Sequence, residues 1–264
     1  MKGQDISLFA MISKKQDRMY VRKELTQMAI LEVNHVKKVY KTRMGGDEVT
    51  ALRDVHFTVE KGEFVAIMGE SGSGKTTLLN ILACLDRPTA GKVLIDGNDY
   101  TTLKDDERAI FRRNNLGFIF QDFNLLDNFS IEDNIKLPLV LAGEDYRSMD
   151  SWVSLLAKKL GIEDLLKKYP YEVSGGQKQR TAVARALISN PQILFADEPT
   201  GALDSRASTN LLRQLRSINE SGQTILMVTH DAFSASYCGR ILFLKDGRIF
   251  RELVRGSEDR RTFL

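Results

Sequence analysis

The sequence is short of cysteine, of long apolar runs and of excess charge, and each shortage narrows what the chain can be. Two cysteines, Cys84 and Cys238, stand 154 positions apart in 264 residues. They form neither a disulfide framework nor a metal-ligand or redox-motif spacing, so both read as reduced structural thiols in a cytosolic protein. No apolar stretch approaches the roughly 18 residues of a bilayer-spanning helix, which excludes a chain that crosses a membrane by itself. The apolar residues between Ile6 and Ile12 follow Asp5 and lack a small-residue cleavage site after them, so they do not make a signal peptide. Lys and Arg exceed Asp and Glu by only three, and that excess falls within residues 1–28, where six basic groups face three acids. The remaining body is neutral and lacks the broad positive field of a nucleic-acid-binding protein, so no nucleic acid is expected among its partners.

What is present is an ordinary globular composition, 42% hydrophobic and 28% charged, with length enough for one large domain or two small ones. Residues 1–28 are polar and basic and are expected to form a tail outside the core, with the folded domain spanning 29–264. From Ile30 to Val59 the pattern has period two with a Gly-Gly-Asp connection at 45–47, which predicts antiparallel sheet. Phe64 to Met68 is a continuous apolar run, the mark of a strand buried on both faces, followed by glycines and a helix from Lys75 to Leu85. Strands are predicted at Val93–Ile95 and Leu116–Phe120. Residues 122–172 read as mostly helical, broken at Pro138, Gly143 and Gly161. The last third alternates helix and strand, ending in a hairpin from Ile241 to Phe250 through Asp246-Gly247. The fold class is therefore α/β, a mainly parallel sheet flanked by helices, with an N-terminal antiparallel β subdomain and a helical subdomain near 122–172.

Gly69-Glu70-Ser71-Gly72-Ser73-Gly74-Lys75-Thr76 fits G-x-x-x-x-G-K-[ST], between a buried strand and a helix. Glycines let backbone amides wrap phosphate, the helix N-terminus adds partial positive charge, and Lys75 reaches the β and γ phosphates. Thr76 offers its hydroxyl to Mg²⁺, with Thr77 beside it in the same phosphate site. The strand Ile193 to Ala196 runs into Asp197 and Glu198. Parallel sheets present ligands at the carboxyl ends of their strands, so Asp197 is expected beside the loop as a Mg²⁺ holder. Glu198 is then the candidate to orient or deprotonate the attacking water.

Ser174-Gly175-Gly176-Gln177 opens another helix. Ser at the N-cap and Gln three residues on make a capping box, which leaves the two glycines unexplained, since each weakens a first turn by up to about 1 kcal/mol. Bared amides at this helix end point to a second anion site, and two such ends in one chain point to two chains sharing a nucleotide. Here the sequence resembles the ATP-binding cassette (ABC) ATPases over nearly all of residues 30–264. The resemblance implies a head-to-tail homodimer in which Ser174, Gly175, Gly176 and Gln177 of one chain close over ATP on the partner's loop. It implies that Gln121 senses Mg²⁺ and a membrane partner, that Asp204 lies in a loop crossing the dimer, that His230 contacts the γ-phosphate and that Tyr40 stacks on adenine. Val173 stands where the family usually has leucine. By itself the Lys178-Gln179-Arg180 run reads as a solvated helix face.

One cassette without a membrane span implies a separate permease, docking near 122–172 and holding the chain at the cytoplasmic face of the cell membrane. The runs Ile119 to Asp127, Ser174 to Leu187, Phe195 to Ser205 and Ala235 to Arg240 look like the macrolide-exporter and lipoprotein-release branch. Within it they are most similar to bacitracin-export (Bce-type) ATPases, as is the ending Lys245-Asp246-Gly247-Arg248 with Asp259 to Phe263. That implies ATP hydrolysis driving peptide-antibiotic export, resistance or sensing, with a sensor histidine kinase reached through the permease. Lipoprotein release, or cell-division or cell-wall coupling without transport, is the alternative. A kinase would share the phosphate loop but has no use for a signature acting in trans.

Overall fold

A computed structural model of the chain describes residues 29–41, 48–256 and Phe263. The expected tail at 1–28, the connection at 45–47 and the stretch 259–262 lie outside the described residues.

The period-two segments form β1 (Ala29–Lys41) and β2 (Glu48–Glu60), antiparallel, with Leu31 opposite Val59 and Val33 opposite Phe57. Their inward residues are buried, as alternation requires. β4 (Ala90–Ile95) pairs with the other edge of β1, and β5 (Asn98–Asp99) follows it. The apolar run is β3 (Phe64–Met68), between β8 (Thr224–Thr229) and β9 (Arg240–Lys245), parallel to both. β7 (Ile193–Asp197) and β6 (Leu116–Ile119) extend the parallel part. β10 (Arg248–Val254) turns back on β9 and touches β2 through the pair Arg248 and Asp54, giving the order β5-β4-β1-β2-β10-β9-β3-β8-β7-β6.

Helices α1 (Lys75–Leu82), α2 (Asp105–Asn115), α3 (Ile131–Ala142), α4 (Tyr146–Leu160), α5 (Gly175–Leu187), α6 (Ser205–Glu220) and the single turn α7 (Ala232–Ala235) cover the sheet. Successive residues of β3 go to different cores. Phe64 and Ala66 join the side built from α3 to α6, whereas Val65 and Ile67 join the side built from α1, β1, β2 and β4. Each fully buried aliphatic side chain contributes about 1.5–3 kcal/mol, so this central strand is fixed from both sides. Cys84 and Cys238 are free and buried, and burial pushes the Cys84 thiol up to about 12, as suits structural rather than reactive groups.

Three local expectations change. α1 ends at Leu82, where Ala83 caps it and Cys84 turns to φ 58°, instead of running to Leu85. Pro138 sits inside α3 and breaks nothing larger than one hydrogen bond, whereas Gly143 does end that helix, at φ 73°. Gln179 is fully buried on α5, donating to the Pro199 carbonyl at 2.8 Å, so the Lys178-Gln179-Arg180 run is not a solvated face.

The helical segment is organised by polar groups as well as by apolar ones. Ser130 caps α3, and the buried Asn134 side chain accepts from the Leu126 amide and donates to the carbonyls of Leu126, Phe129 and Ser130. Lys136, also buried, bonds Glu132 and Asp150 at 2.6 Å each, joining α3 to α4. Asn134→Ala would leave these loop groups unpaired and is expected to destabilise the chain by roughly 2–3 kcal/mol in urea denaturation. An unchanged midpoint would contradict that role.

Candidate functional site

The loop between β3 and α1 is shaped by its backbone. Gly74 has φ 102°, and a Cβ there would sit 2.6 Å from the Ala51 carbonyl, so no other residue fits without displacing β2. Lys75 opens α1 and folds back, donating from Nζ to the carbonyls of Gly69 at 2.7 Å and Glu70 at 2.8 Å. Those bonds use two of the three ammonium protons and hold the charge over the loop. Ser73 Oγ is buried without a hydrogen-bond partner, 2.6 Å from where a Cβ on Gly69 would lie, so the loop closes on glycine at its first position. Gly69, Ser71, Gly72, Ser73, Gly74, Lys75, Thr76 and Thr77 line a cavity of about 1120 Å³ together with Glu198 and His230.

The two chemical side chains arrive from neighbouring strands. β7 ends at Asp197, and the Glu198 amide donates to the Val228 carbonyl of β8 at 2.9 Å. Glu198 adopts φ 42°, a left-handed conformation that costs a non-glycine residue roughly 1–2 kcal/mol. His230 follows β8, with Nδ1 2.9 Å from Glu198 Oε1. A carboxylate only accepts, so this geometry puts the proton on Nδ1 and leaves Nε2 for another acceptor or donor. Asp197 precedes Glu198 as the last residue of β7. Burial raises its carboxyl above the usual range, the Glu198 charge adds to the rise, and Lys75 pulls the other way.

Other candidates stand outside the cavity lining. Gln121 is exposed, its side chain about 3.0 Å from where a Cβ on Gly201 would lie, so it rests on the turn after Glu198. Tyr40 is 42% exposed and donates from its hydroxyl to Asp86 at 2.9 Å. Asp204 caps α6, accepting from the Ala207 amide at 2.8 Å. Ser174 and Gln177 form the expected capping box on α5, the Gln177 amide donating to Ser174 Oγ at 3.3 Å and the Ser174 amide to Gln177 Oε1 at 2.8 Å. A Cβ on Gly175 would meet its own chain only at ordinary contact, 3.7 Å from Leu203 and Phe123. A Cβ on Gly176 would lie 3.2 Å from Ala207 Cβ.

The profile of the ABC transporter family matches residues 52–201, from β2 through the phosphate loop and the signature to the turn after Glu198. The chain belongs to the ABC transporter family. It is an ABC ATPase, the ATP-binding subunit of a transporter. It is 50% identical over 237 residues to the bacitracin export ATP-binding protein BceA of Halalkalibacterium halodurans, covering 89% of this chain and 93% of that one. It is 46% identical over 226 residues to the macrolide export ATP-binding/permease protein MacB of Syntrophobacter fumaroxidans, covering 84% of this chain and 31% of that longer protein. Among solved structures, the dimeric, post-hydrolysis ATP-binding cassette MJ0796 bound to ADP and Pi superposes with a TM-score of 0.77 at 41% identity, over 85% of this chain and 98% of that one. MJ0796 belongs to Methanocaldococcus jannaschii.

Sequence reasoning missed part of this ABC site. Val49 and Thr50 on β2, with Phe243 and Phe250 on the terminal hairpin, also line the cavity. Their spacing carries no signal, because a threonine and scattered, half-buried or exposed apolar residues are ordinary on sheet faces. The raised Asp197 carboxyl gives a testable sign. It titrates above its unfolded value of about 3.9, so its ionisation costs folding free energy at higher pH. Asp197→Asn is expected to stabilise the isolated chain at pH 7, with the advantage shrinking as pH is lowered toward about 4. Urea midpoints at a series of pH values measure this, and an advantage that grows on acidification would refute it.

Proposed function

We propose that two copies of this chain close head to tail on two ATP molecules, hydrolyse them, and drive a separate permease that handles peptide antibiotics. One observation carries the shared site: Ser174 to Gln177 bare a helix N-terminus away from the cavity of their own chain, and Gly175 leaves room that its own chain does not need. A glycine with spare room inside its own chain fits close approach from outside. In this reading the loop amides and the α1 N-terminus hold the phosphates of bound ATP, Lys75 turns from its carbonyls toward the β and γ oxygens, and Tyr40 supports the base. The attacking water is oriented by Glu198, and His230 holds the γ-phosphate while bonded to Glu198. The Ser174 hydroxyl and the Gly175 and Gly176 amides of the second chain complete the cage, with Asp204 near the crossing.

Mg²⁺ suits the donors present. Thr76 hydroxyl, Gln121 amide and Asp197 carboxylate are all oxygen donors, and no group of three His, Cys, Asp or Glu able to hold a metal occurs among the described residues. That donor set fits an ion bound jointly with nucleotide phosphates, where it would neutralise charge on the β and γ oxygens.

No described helix is long and apolar enough to cross a membrane, so coupling needs a docked partner, and we assign it to the cytoplasmic face of a permease. A groove of about 570 Å³ between α2 and α3 is lined by Leu85, Ile110, Phe118, Leu137 and Leu141 together with Arg112, Arg113 and Arg185. This extends the surface expected at 122–172 by adding α2. None of those three arginines has a carboxylate partner among the described ion pairs, so an amphipathic permease helix with an acidic residue fits. Similarity to BceA along nearly its whole length supports bacitracin-type peptides as the class handled, and the proposal adds a sensor histidine kinase reached through the permease.

Glu198→Gln is expected to keep ATP binding, trap the closed dimer and slow turnover by roughly 10²–10⁴-fold, while Ser174→Arg abolishes hydrolysis and spares ATP binding by the monomer. Wild-type turnover in either variant would remove that residue from its role. Tagged chain recovered from native membranes in mild detergent is expected to bring down a many-span permease with a histidine kinase. A lipoprotein-release permease or a small division-type membrane protein in its place would overturn the antibiotic role and leave the ATPase chemistry standing.

A further inference from the structure

One carboxylate ties the base end of the nucleotide site to its phosphate end. Tyr40 lies near the end of β1, and its hydroxyl donates to Asp86 Oδ2 at 2.9 Å. Lys38, two residues earlier and therefore on the same face, places its ammonium 4.8 Å from the centre of the Tyr40 ring. The same ammonium donates to Asp86 Oδ1 at 2.6 Å and to the Arg87 carbonyl at 2.8 Å. Asp86 thus grips the ring at its hydroxyl and, through Lys38, across one face. Burial works against the Asp86 charge, but hydrogen bonds from Lys38, the Arg87 amide and Tyr40 outweigh it and hold the carboxyl below its usual range.

Asp86 is itself immobilised by the phosphate-binding helix. Its amide donates to the Asn80 carbonyl of α1 at 3.1 Å, and its carbonyl accepts from Arg108 of α2 at 2.8 Å. The ring is therefore referenced to α1, whose first residue is Lys75, independently of the connection that follows β1. An exposed tyrosine without such ties would have to be ordered each time a base docked, at the cost of affinity.

We propose that Asp86, acting with Lys38, is the positioning residue that pre-orients Tyr40 for the nucleotide base. This rests on the reading of Tyr40 as the base support. The test titrates ATP and inorganic tripolyphosphate into the full chain and its variants. Tyr40→Ala is expected to weaken ATP by roughly tenfold or more and to leave tripolyphosphate unchanged, since only ATP carries a base. Asp86→Ala and Tyr40→Phe should each weaken ATP by roughly two- to tenfold, again without effect on tripolyphosphate, and the double variant should lose no more than either single one. If Asp86→Ala fails to fold, Tyr40→Phe, which deletes one hydroxyl, decides alone. Full ATP affinity in Tyr40→Ala would end the reading of Tyr40. A loss confined to Tyr40→Ala, or an equal loss of tripolyphosphate in Asp86→Ala, would end the positioning role of Asp86.

Discussion

Strand β3 is hydrogen-bonded along both edges and dry on both faces, and the chemistry of the molecule follows from where that strand stops. Its pairing puts Met68 level with Thr229 of β8, and β8 in turn puts Val228 level with Asp197 of β7. Three parallel strands therefore release their carboxyl ends at one edge of the sheet. The phosphate loop leaves the first, His230 the second and Glu198 the third, and the amide of Glu198 is tied to Val228. Had β3 been an edge strand, or exposed on one face, nothing would hold these ends in common register.

Part of the backbone strain lies beyond the carboxyl ends of β6 and β7. Glu198 at φ 42°, Phe123 at φ 62° and Asn124 at φ 49° are non-glycine residues in the left-handed region. Each costs roughly 1–2 kcal/mol and persists only where its surroundings over-determine it. For Phe123 and Asn124 the cause is Arg185 of α5, whose guanidinium donates to both carbonyls. The loop after Gln121 is thus held by the helix that begins with the signature glycines, and the Phe123 ring lies beside Gly175. The helix that opens at Ser174, the loop after Gln121 and the groove between α2 and α3 share one arginine.

The sequence made the sheet and the phosphate loop legible because apolar runs and glycines report directly on burial and backbone shape. It was silent about α2, where Arg108 is the only buried residue. That helix is held by Arg108 and Arg112 gripping the Cys84 carbonyl, with acids in its first turn and arginines in its last, so no apolar stripe announces it. Gln179 was misread for a similar reason. An amide flanked by Lys178 and Arg180 looks exposed until the Pro199 carbonyl, twenty positions away, is known to sit opposite it. The tie between Tyr40 and Asp86 spans 46 positions and belongs to the same class. Polar partners distant in sequence leave no periodicity, whereas apolar faces do.

The room beside Gly175 sets two selective pressures against each other. Alanine there would strengthen the first turn of α5 and fill space that the lone chain leaves open. A laboratory selection for heat tolerance of the purified subunit would enrich such a change, and under the proposed head-to-tail pairing the survivors would fold better and pair worse. On the proposed pairing, the glycine is a concession of the solitary fold to its neighbour.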